Sequence, residues 1–508
     1  MQIVTAEEMY AIDGYTMEEI GIHGPMLMEN AGQSLVFHLL SYLKKEASIM
    51  VVIGMGNNGG DGFVVSRQLQ TLGYSVDTWV MAPLEKLKGD ALFHYHIYTR
   101  SGYTLYALEK EGMIAFEQAL ANHSFVIDAM LGIGVSGEIR SPYKEIIPLL
   151  NQAKAKVYAI DTPSGISANS GNVEMAVKAT MTFTIQCYKR SAFLYPARDF
   201  YGQVIVCPIG IPEKAEYDKA SACFLWDNER VQATLPTRQA YSHKGTYGKV
   251  LVVGGSNRMS GAVMMTTKSV LKAGAGLTTV AVPASIRPVL ASHITEAMFI
   301  EAKEEKGYFA QELDVSFELF DTIVAGPGMG RESGCEKVVK QLLAIDRPLV
   351  LDADALFFVA TQKEVLKMRQ SPTVLTPHTG EMARLTGYDV SYINEHRFEV
   401  AKEFATTYQT YVLLKGPYTI VATPTGQLFV NPTGNAALAK GGSGDVLSGI
   451  IAAFLHQHEH VQHALSNACY LHGSVADDLV QLGYSPLSVV ASDIIHHVPQ
   501  MLAKISQS

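Results

Sequence analysis

Cysteine is scarce in this chain. Five residues, Cys187, Cys207, Cys223, Cys335 and Cys469, are scattered over 508 positions, and no two form a CxxC pair. That excludes a disulfide framework and a zinc cage and suits a reducing compartment. Basic charge is not in excess: 40 Lys and Arg stand against 49 Asp and Glu, a net charge of −9. A mildly acidic chain argues against nucleic acid or an anionic membrane as partner. One long uncharged stretch, Pro417 to Ala439, is broken by prolines, glycines, threonines and asparagines, so it is not a membrane span. The opening residues, MQIVTAEEMYAID, carry acids where a secretory leader is basic and then apolar. The expected location is the cytoplasm. The signatures GxxxxGK[ST] and HExxH are also missing, which excludes a P-loop kinase and the common zinc-protease helix. The histidine-rich HQHEHVQH, with His456, His458, His460 and His463, reads as a solvated helix end.

What remains is a globular composition, 48% hydrophobic and 18% charged, long enough for two large domains or three ordinary ones. The first half repeats one rhythm: a short apolar run, a turn bearing Gly or Asp, then a helical stretch. Ser48–Ile53, Tyr74–Met81, Ser124–Ile127 and Lys156–Ile160 read as strands; Glu7–Ile20, Gly24–Leu43 and Phe63–Leu72 read as helices. Strands alternating with helices give a parallel sheet covered on both faces. The rhythm breaks near residue 210 and restarts with Lys249–Val253, Leu277–Val282, Thr322–Ala325, Pro348–Leu351, Thr373–Leu375 and Tyr411–Leu414. The expected organisation is α/β throughout: a domain over 1–220, a linker over 221–240 and a larger domain over 241–508.

In an open parallel sheet, ligands bind beyond the carboxyl ends of the strands. In the first half those ends carry Gly54–Gly62 (GMGNNGGDG), Asp128 and Asp161-Thr162-Pro163-Ser164-Gly165. Gly54, Gly56 and Gly59 satisfy GxGxxG, with Asp77 at the ribose-acid distance, yet Asp77 falls inside its strand and Asn57, Asn58 and Asp61 crowd the loop. A dinucleotide loop, a polar-ligand or cation site, and a helix cap all remain open for it. Asp128 and Asp161 carry the same choice between cap and function. With Asn58 and Ser164 they offer oxygen donors alone, which suits a hard cation. Gly132-Ile133-Gly134-Val135-Ser136-Gly137-Glu138 forms a second glycine-bearing loop on that edge. In the second half, Lys440-Gly441-Gly442-Ser443-Gly444-Asp445 opens an apolar helix. A glycine run there leaves free N–H groups and the positive dipole end for phosphoryl oxygens, with Asp445 placed to take a hydroxyl proton. His378 and Glu381 are set either to meet a substrate or to cap the next helix.

These motifs together resemble a known family. GMGNNGGDG, IDAMLGIGVSGE (Ile127–Glu138) and IDTPSG (Ile160–Gly165) are similar to the NAD(P)H-hydrate epimerase domain. VAGPGMG (Val324–Gly330), LDADAL (Leu351–Leu356), TPHTGEMARL (Thr376–Leu385), LLKGP (Leu413–Pro417) and GNAALAKGGSGD (Gly434–Asp445) resemble the ribokinase-like NAD(P)H-hydrate dehydratase domain. Their order covers nearly the whole chain.

The resemblance implies a Rossmann-like doubly wound first domain and a ribokinase-like second one. It implies repair of hydrated NADH and NADPH: the first domain interconverts R and S hydrates, and the second dehydrates the S form with ADP, or ATP, as phosphoryl donor, releasing AMP and phosphate. It puts the hydrate of the first domain against Asn57, Asn58, Gly59, Gly60, Asp61, the loop Gly132 to Glu138 (Gly132, Ile133, Gly134, Val135, Ser136, Gly137, Glu138) and Asp161, the candidate for proton traffic. It gives a potassium ion to Asn58, Asp128 and Ser164. In the second domain it assigns Asp445 as base, Ala262, Gly328 and His378 to the hydrate, and Lys415, Gly416, Pro417, Tyr418, Thr419 and Gly444 to the nucleotide. Kinases of the ribokinase type place Asn-x-x-Glu where this chain has His378-Thr379-Gly380-Glu381, which leaves a magnesium role for Glu381 open. A homo-oligomer is expected. The rival readings are a small-alcohol kinase with a nucleotide-sensing first module, and a first half that serves only as a scaffold.

Overall fold

The seven strands of the first sheet run, edge to edge, Tyr106–Ala107, Ser75–Val80, Ser48–Ile53, Phe125–Ala129, Lys156–Ile160, Met181–Ile185 and Gln203–Cys207. Every pairing between them is parallel. The computed structural model describes residues 1–135 and 137–507, and they divide into two units, Met1–Cys223 and a second that begins at Phe224. In SIMVVI alternate side chains leave opposite faces of the sheet. Ile49, Val51 and Ile53 join Phe63 and Leu69 in one core. Met50 and Val52 join Phe116 and Ile146 in the other. The unbroken apolar run thus records a strand buried on both sides. From Ser48–Ile53 the chain winds outward to one edge, then returns through Phe125–Ala129 on the other side. The crevice where the order reverses lies beyond these two strand ends, and it receives Gly54 and Met130.

The second unit repeats this design at larger size. Its ten-stranded sheet runs Cys223–Leu225, Leu428–Val430, Ile420–Ala422, Tyr411–Leu414, Thr373–Leu375, Leu349–Leu351, Thr322–Ala325, Lys249–Val253, Leu277–Pro283 and Met298–Ala302. The strands from Tyr411–Leu414 to Met298–Ala302 pair in parallel, and Ile420–Ala422 and Leu428–Val430 add an antiparallel margin. Here the order reverses between Lys249–Val253 and Thr322–Ala325. Helices Ser260–Lys272 and Ser443–Gln457 cover one face, placing Val263 and Ile450 in a core with Val250 and Val252.

Three sequence expectations need correction. The helix expected from Phe63 begins at Asn57, so the glycine-rich motif is the helix's first turns rather than a loop. Its glycines serve close packing: a Cβ on Gly59 would lie 2.2 Å from the Gly54 carbonyl oxygen, and one on Gly60 would lie 2.4 Å from Met28 Sδ. Residues 221–240, expected to form a linker, contain the strand Cys223–Leu225 and the helix Asn228–Thr234. Trp226 and Val231 are buried in the second core, and Trp226 Nε1 donates to Asn467 Oδ1 at 2.8 Å. The histidine-rich segment is only partly solvated. His456 and His460 are exposed, but His458 is fixed at Nδ1 by the Phe454 carbonyl at 2.9 Å and at Nε2 by Asn467 at 2.9 Å. Burial pushes its pKa down to about 4.

Candidate active sites

In the first unit the strand ends open into a cavity of about 390 Å³, lined by Tyr10, Asp13, Asn57, Asn58, Asp61, Gly132, Ile133, Gly134, Val135, Asp161 and Lys189. Most residues expected to meet a hydrate therefore share one space. Gly59 and Gly60 are buried in the helix beneath it. Gly137 and Glu138 are exposed, and Ser136 lies outside the described residues. Asp128 is fully buried at the end of its strand. Its Oδ1 accepts from Ser164 Oγ at 2.6 Å and Met130 N at 3.2 Å, and its Oδ2 accepts from Ser164 N at 2.8 Å. Burial raises its pKa to about 6 against these hydrogen bonds. Asn58 Nδ2 donates to the Leu131 carbonyl at 3.0 Å, while its buried Oδ1 has no hydrogen-bond partner among the described residues. A buried carbonyl oxygen without a donor is costly unless something electropositive meets it.

Asp161 has φ 65°, a left-handed conformation that costs a non-glycine residue energy. Its Oδ1 accepts from the Lys189 ammonium, from Ile185 N at 3.0 Å and from Thr184 Oγ1 at 3.3 Å. Lys189, buried to 1% exposure, also donates to the carbonyls of Ile185 at 2.8 Å and Cys187 at 3.1 Å. The strained aspartate is thus fixed by a buried ion pair. Sequence reasoning missed Lys189: it sits on a two-residue strand, Tyr188–Lys189, paired with Ile3–Val4, too short to show a pattern. Asp61 lies 7% exposed on the same cavity. Burial first, then the charges of Asp161 and Asp13, hold its carboxyl well above the ordinary range.

In the second unit the strand ends that carry Asp352, Thr376 and Lys415 gather near the start of Ser443–Gln457. Gly442, with φ 91° and no room for a Cβ beside Met265 Sδ, bends the chain into the helix. Asp445 falls in the first turn. A Cβ on Gly444 would lie 3.4 Å from Lys415 Nζ, so the lysine ammonium stands at the helix N-terminus. Lys415 Nζ is 2.8 Å from Asp352 Oδ1. Asp352 also accepts from Thr376 Oγ1 at 2.7 Å and Ser448 Oγ at 2.6 Å. Burial raises the Asp352 pKa, but the Lys415 charge and these hydrogen bonds outweigh it and hold the group below the ordinary range. Asp445 behaves oppositely: burial, then the Asp352 charge, lift it to about 7 despite Lys415. Two carboxylates with pKa values pushed apart beside one cation make this edge a candidate acid–base site.

The other expected residues fall nearby with distinct roles. Gly328, at φ 62°, and Ala262 are in contact: a Cβ on Gly328 would lie 3.0 Å from Ala262 Cβ. His378 caps the helix Thr379–Thr386. Its Nδ1 accepts from Gly380 N at 3.0 Å, and Glu381 Oε2 accepts from His378 N at 2.9 Å. The capping alternative is therefore realised, with the imidazole still half open to solvent. Gly416 to Thr419 form the turn after Tyr411–Leu414, where Thr419 Oγ1 donates to the Gly416 carbonyl at 3.2 Å. Beneath that turn lies buried Arg397, unnoticed in the sequence, whose Nη2 donates to the carbonyls of Leu414 at 3.1 Å and Lys415 at 3.3 Å. Burial lowers its pKa to about 10. His472, also unnoticed, is held neutral by burial with a pKa of about 4 and meets Ser443 Oγ at 3.2 Å.

Family models match both units: residues 24–191 match the YjeF-related protein N-terminus and residues 250–500 match NAD(P)H-hydrate dehydratase. A bifunctional NAD(P)H-hydrate repair enzyme of Moorella thermoacetica is 36% identical over 523 residues, covering 100% of this chain and 98% of its own. The chain belongs to the bifunctional NAD(P)H-hydrate repair enzymes. Another member of this repair family, from Thermofilum pendens, is 33% identical and covers 100% of this chain and 97% of its own. The structure of an ADP/ATP-dependent NAD(P)H-hydrate dehydratase of Bacillus subtilis, co-crystallised with ATP and magnesium, aligns with TM-score 0.50 and 35% identity over 55% of this chain and 98% of its own. No helix of the described residues is long and apolar enough to cross a membrane.

Proposed function

We propose that this protein restores hydrated NADH and NADPH, epimerising R and S hydrates in the first unit and dehydrating the S hydrate at the expense of ADP or ATP in the second. The observation that carries this reading is the meeting of Lys415, Gly444 and Asp445, a cation, a helix N-terminus and a base at one point. Hydroxide is a poor leaving group from the hydrated ring. Asp445 accepts the ring hydroxyl proton, the oxygen takes the terminal phosphoryl group, and the shortened nucleotide departs. Lys415 and the Gly444 turn hold the developing charge. The ring nitrogen then expels phosphate, loss of the neighbouring C–H proton restores the double bond, and AMP and phosphate are the products when ADP is the donor. A pKa near 7 suits Asp445 to this work. A stable phosphate ester, the product of a small-alcohol kinase, is not formed.

Magnesium bound with the nucleotide would neutralise phosphate charge. Among the described residues no group of three or more His, Cys, Asp or Glu gathers to hold a metal, and Glu381 is engaged in its helix cap. In the first unit, Asn58 Oδ1, Asp128 and Ser164 fit a potassium ion: two neutral oxygens and one carboxylate, one of them buried without a donor. The ion would supply a fixed positive charge at the mouth of the crevice. Asp161 is the proposed base for epimerisation, and Asp61, whose carboxyl burial holds above the ordinary range, faces the same cavity. The test is direct. Purified protein given mixed NADH hydrates should regenerate the absorbance of reduced nicotinamide with ADP or ATP, and not without a donor. Accumulation of a stable phosphate ester would sink the reading.

A further inference from the structure

Asp13 sits on the helix Ala6–Tyr15, ahead of the segment that the N-terminal family model matches, and lines the same cavity as Asp61, Asp161 and Lys189. The helix is held in place at its first turn. Thr5 and Glu8 form a capping box, Ala6 N donates to Asn169 Oδ1 at 2.7 Å, and Glu8 Oε1 accepts from Ser221 N at 2.9 Å. Asp13 is therefore carried by a fixed element. Its carboxyl makes no hydrogen bond among the described residues, unlike Asp161, whose Oδ1 takes three donors. A half-buried acid with no hydrogen-bond partner among the described residues, facing a substrate-sized cavity, is available for the ligand.

Resting on the epimerase reading, we propose that Asp13 is the acid that protonates the departing ring hydroxyl, and that Asp161 receives the proton of the water that re-enters. Inverting a carbon that bears both oxygen and nitrogen requires that oxygen leave and return. Asp13 gives its proton to the hydroxyl, the carbon–oxygen bond breaks, and water departs as the ring-nitrogen lone pair forms an iminium. Water then adds to the opposite face and loses one proton to Asp161. One proton has passed from Asp13 to Asp161, and exchange with solvent, or a turnover in the other direction, resets the pair.

The surroundings separate Asp13 from Asp61. Burial, then the Asp161 charge, raise Asp13 to about 6 against Lys189, so it can both hold and release a proton near neutrality. Asp61, buried in the helix Asn57–Thr71, is raised well above the ordinary range by burial and then by the charges of Asp161 and Asp13, which opposes its ionisation. The other groups around this helix are Tyr10 on its own face, Asp90 on the cavity wall, and Glu216 and Lys219 of the helix Glu213–Lys219. Glu216 is engaged by Gln186 at 2.5 Å and Lys219 lies over the Tyr15 ring at 4.7 Å.

The experiment follows interconversion of separated R and S NADH hydrates without ADP, in H2¹⁸O, for wild type, Asp13→Asn and Asp13→Glu. Wild type should incorporate ¹⁸O as it epimerises, with a rate that falls as pH rises through about 6. Asp13→Asn should lose about 10²- to 10⁴-fold in kcat with little change in KM, and should lose that pH limb. Asp13→Glu should recover part of the rate and show the limb again. Asp13→Asn turning over within threefold of wild type, or an unchanged limb, overturns the proposal; so does failure of a folded Asp13→Glu to recover any rate. If wild type itself does not interconvert the epimers, the epimerase reading falls first.

Discussion

Lys415 Nζ lies 2.8 Å from Asp352 Oδ1, and both belong to strand ends on the edge where the helix Ser443–Gln457 begins. The carboxylate is almost wholly buried and the ammonium mostly so. Asp352 has its remaining oxygen filled by Ser448, so its structural task is to aim the lysine. Burial of Lys415 disfavours its charge, but Asp352, Glu381 and Asp445 raise its pKa and keep it cationic. Lys415→Met should lower dehydration by about 10²- to 10³-fold in kcat, the scale of losing one oriented stabiliser of transition-state charge, and leave a folded protein. Asp352→Asn breaks the same pair from the other side. It strands a buried cation, and breaking such a pair costs about 3–5 kcal/mol, measurable as a lowered urea midpoint. Equal stability of Asp352→Asn and wild type would refute the anchoring role.

Asp445 yields a prediction in pH. A base works when ionised, so dehydration should rise with pH through about 7 and plateau above it. Asp445→Asn should remove about 10²- to 10⁴-fold of the rate while nucleotide still binds. Linkage gives an independent check. The folded pKa, about 7, stands above the unfolded value, about 3.9. Between those values the folded state holds a proton that the unfolded state has lost, so this group's stabilising contribution declines as pH rises from 4 to 7. The melting advantage of Asp445→Asn over wild type should therefore grow across that window and vanish below it.

Much of this arrangement was legible in the sequence because parallel strands buried on both faces write themselves as apolar runs ending in Gly or Asp. Ser48–Ile53 and Lys249–Val253 are found where their residues predict them. Tertiary packing hid the rest. The glycines of GMGNNGGDG suggest a loop, yet they form a helix pressed against Gly54 and Met28, a demand that no local pattern displays. Lys189, Arg397 and His472 gain their importance from burial and from partners far along the chain. Their neighbours in sequence carry no mark of it. Asp13 sits in a short helical stretch with little apolar patterning and becomes a candidate only when its helix lines the cavity.

On the proposed assignment, the donors Asn58, Ser164 and Asp128 would favour potassium over a divalent ion, because Asn58 and Ser164 are neutral and Asp128 alone carries formal charge. A ligand that binds only the folded state raises its melting temperature. Melting should rise when potassium chloride replaces choline chloride at equal ionic strength, and epimerisation should accelerate. Asn58→Ala removes the Oδ1 that has no donor and should abolish both responses. Magnesium reproducing the potassium response, or an unaltered response in Asn58→Ala, would count against this assignment.

Asp161→Ala separates the two activities. The residue belongs to the first unit, Met1–Cys223, and the dehydratase machinery to the second. Given both hydrate epimers and ADP, the variant should convert the S form at the wild-type rate and then stall, with the R form draining only as fast as it epimerises unaided. Wild type should pass through both forms without that plateau. Lys189 then loses its carboxylate partner, so some loss of stability in the first unit is expected. Asp161→Asn, which retains the side-chain volume and an acceptor oxygen, should show the same plateau with less of it. Asp445→Asn should give the reverse pattern: epimers interconvert, and no reduced cofactor appears. A mixture of Asp161→Ala and Asp445→Asn should restore full conversion, because the hydrate can diffuse from one chain to another. A mixture that still stalls would mean that the substrate passes between sites without leaving the chain. Absence of the plateau in both Asp161 variants would show that the left-handed aspartate and its buried lysine serve the turn alone.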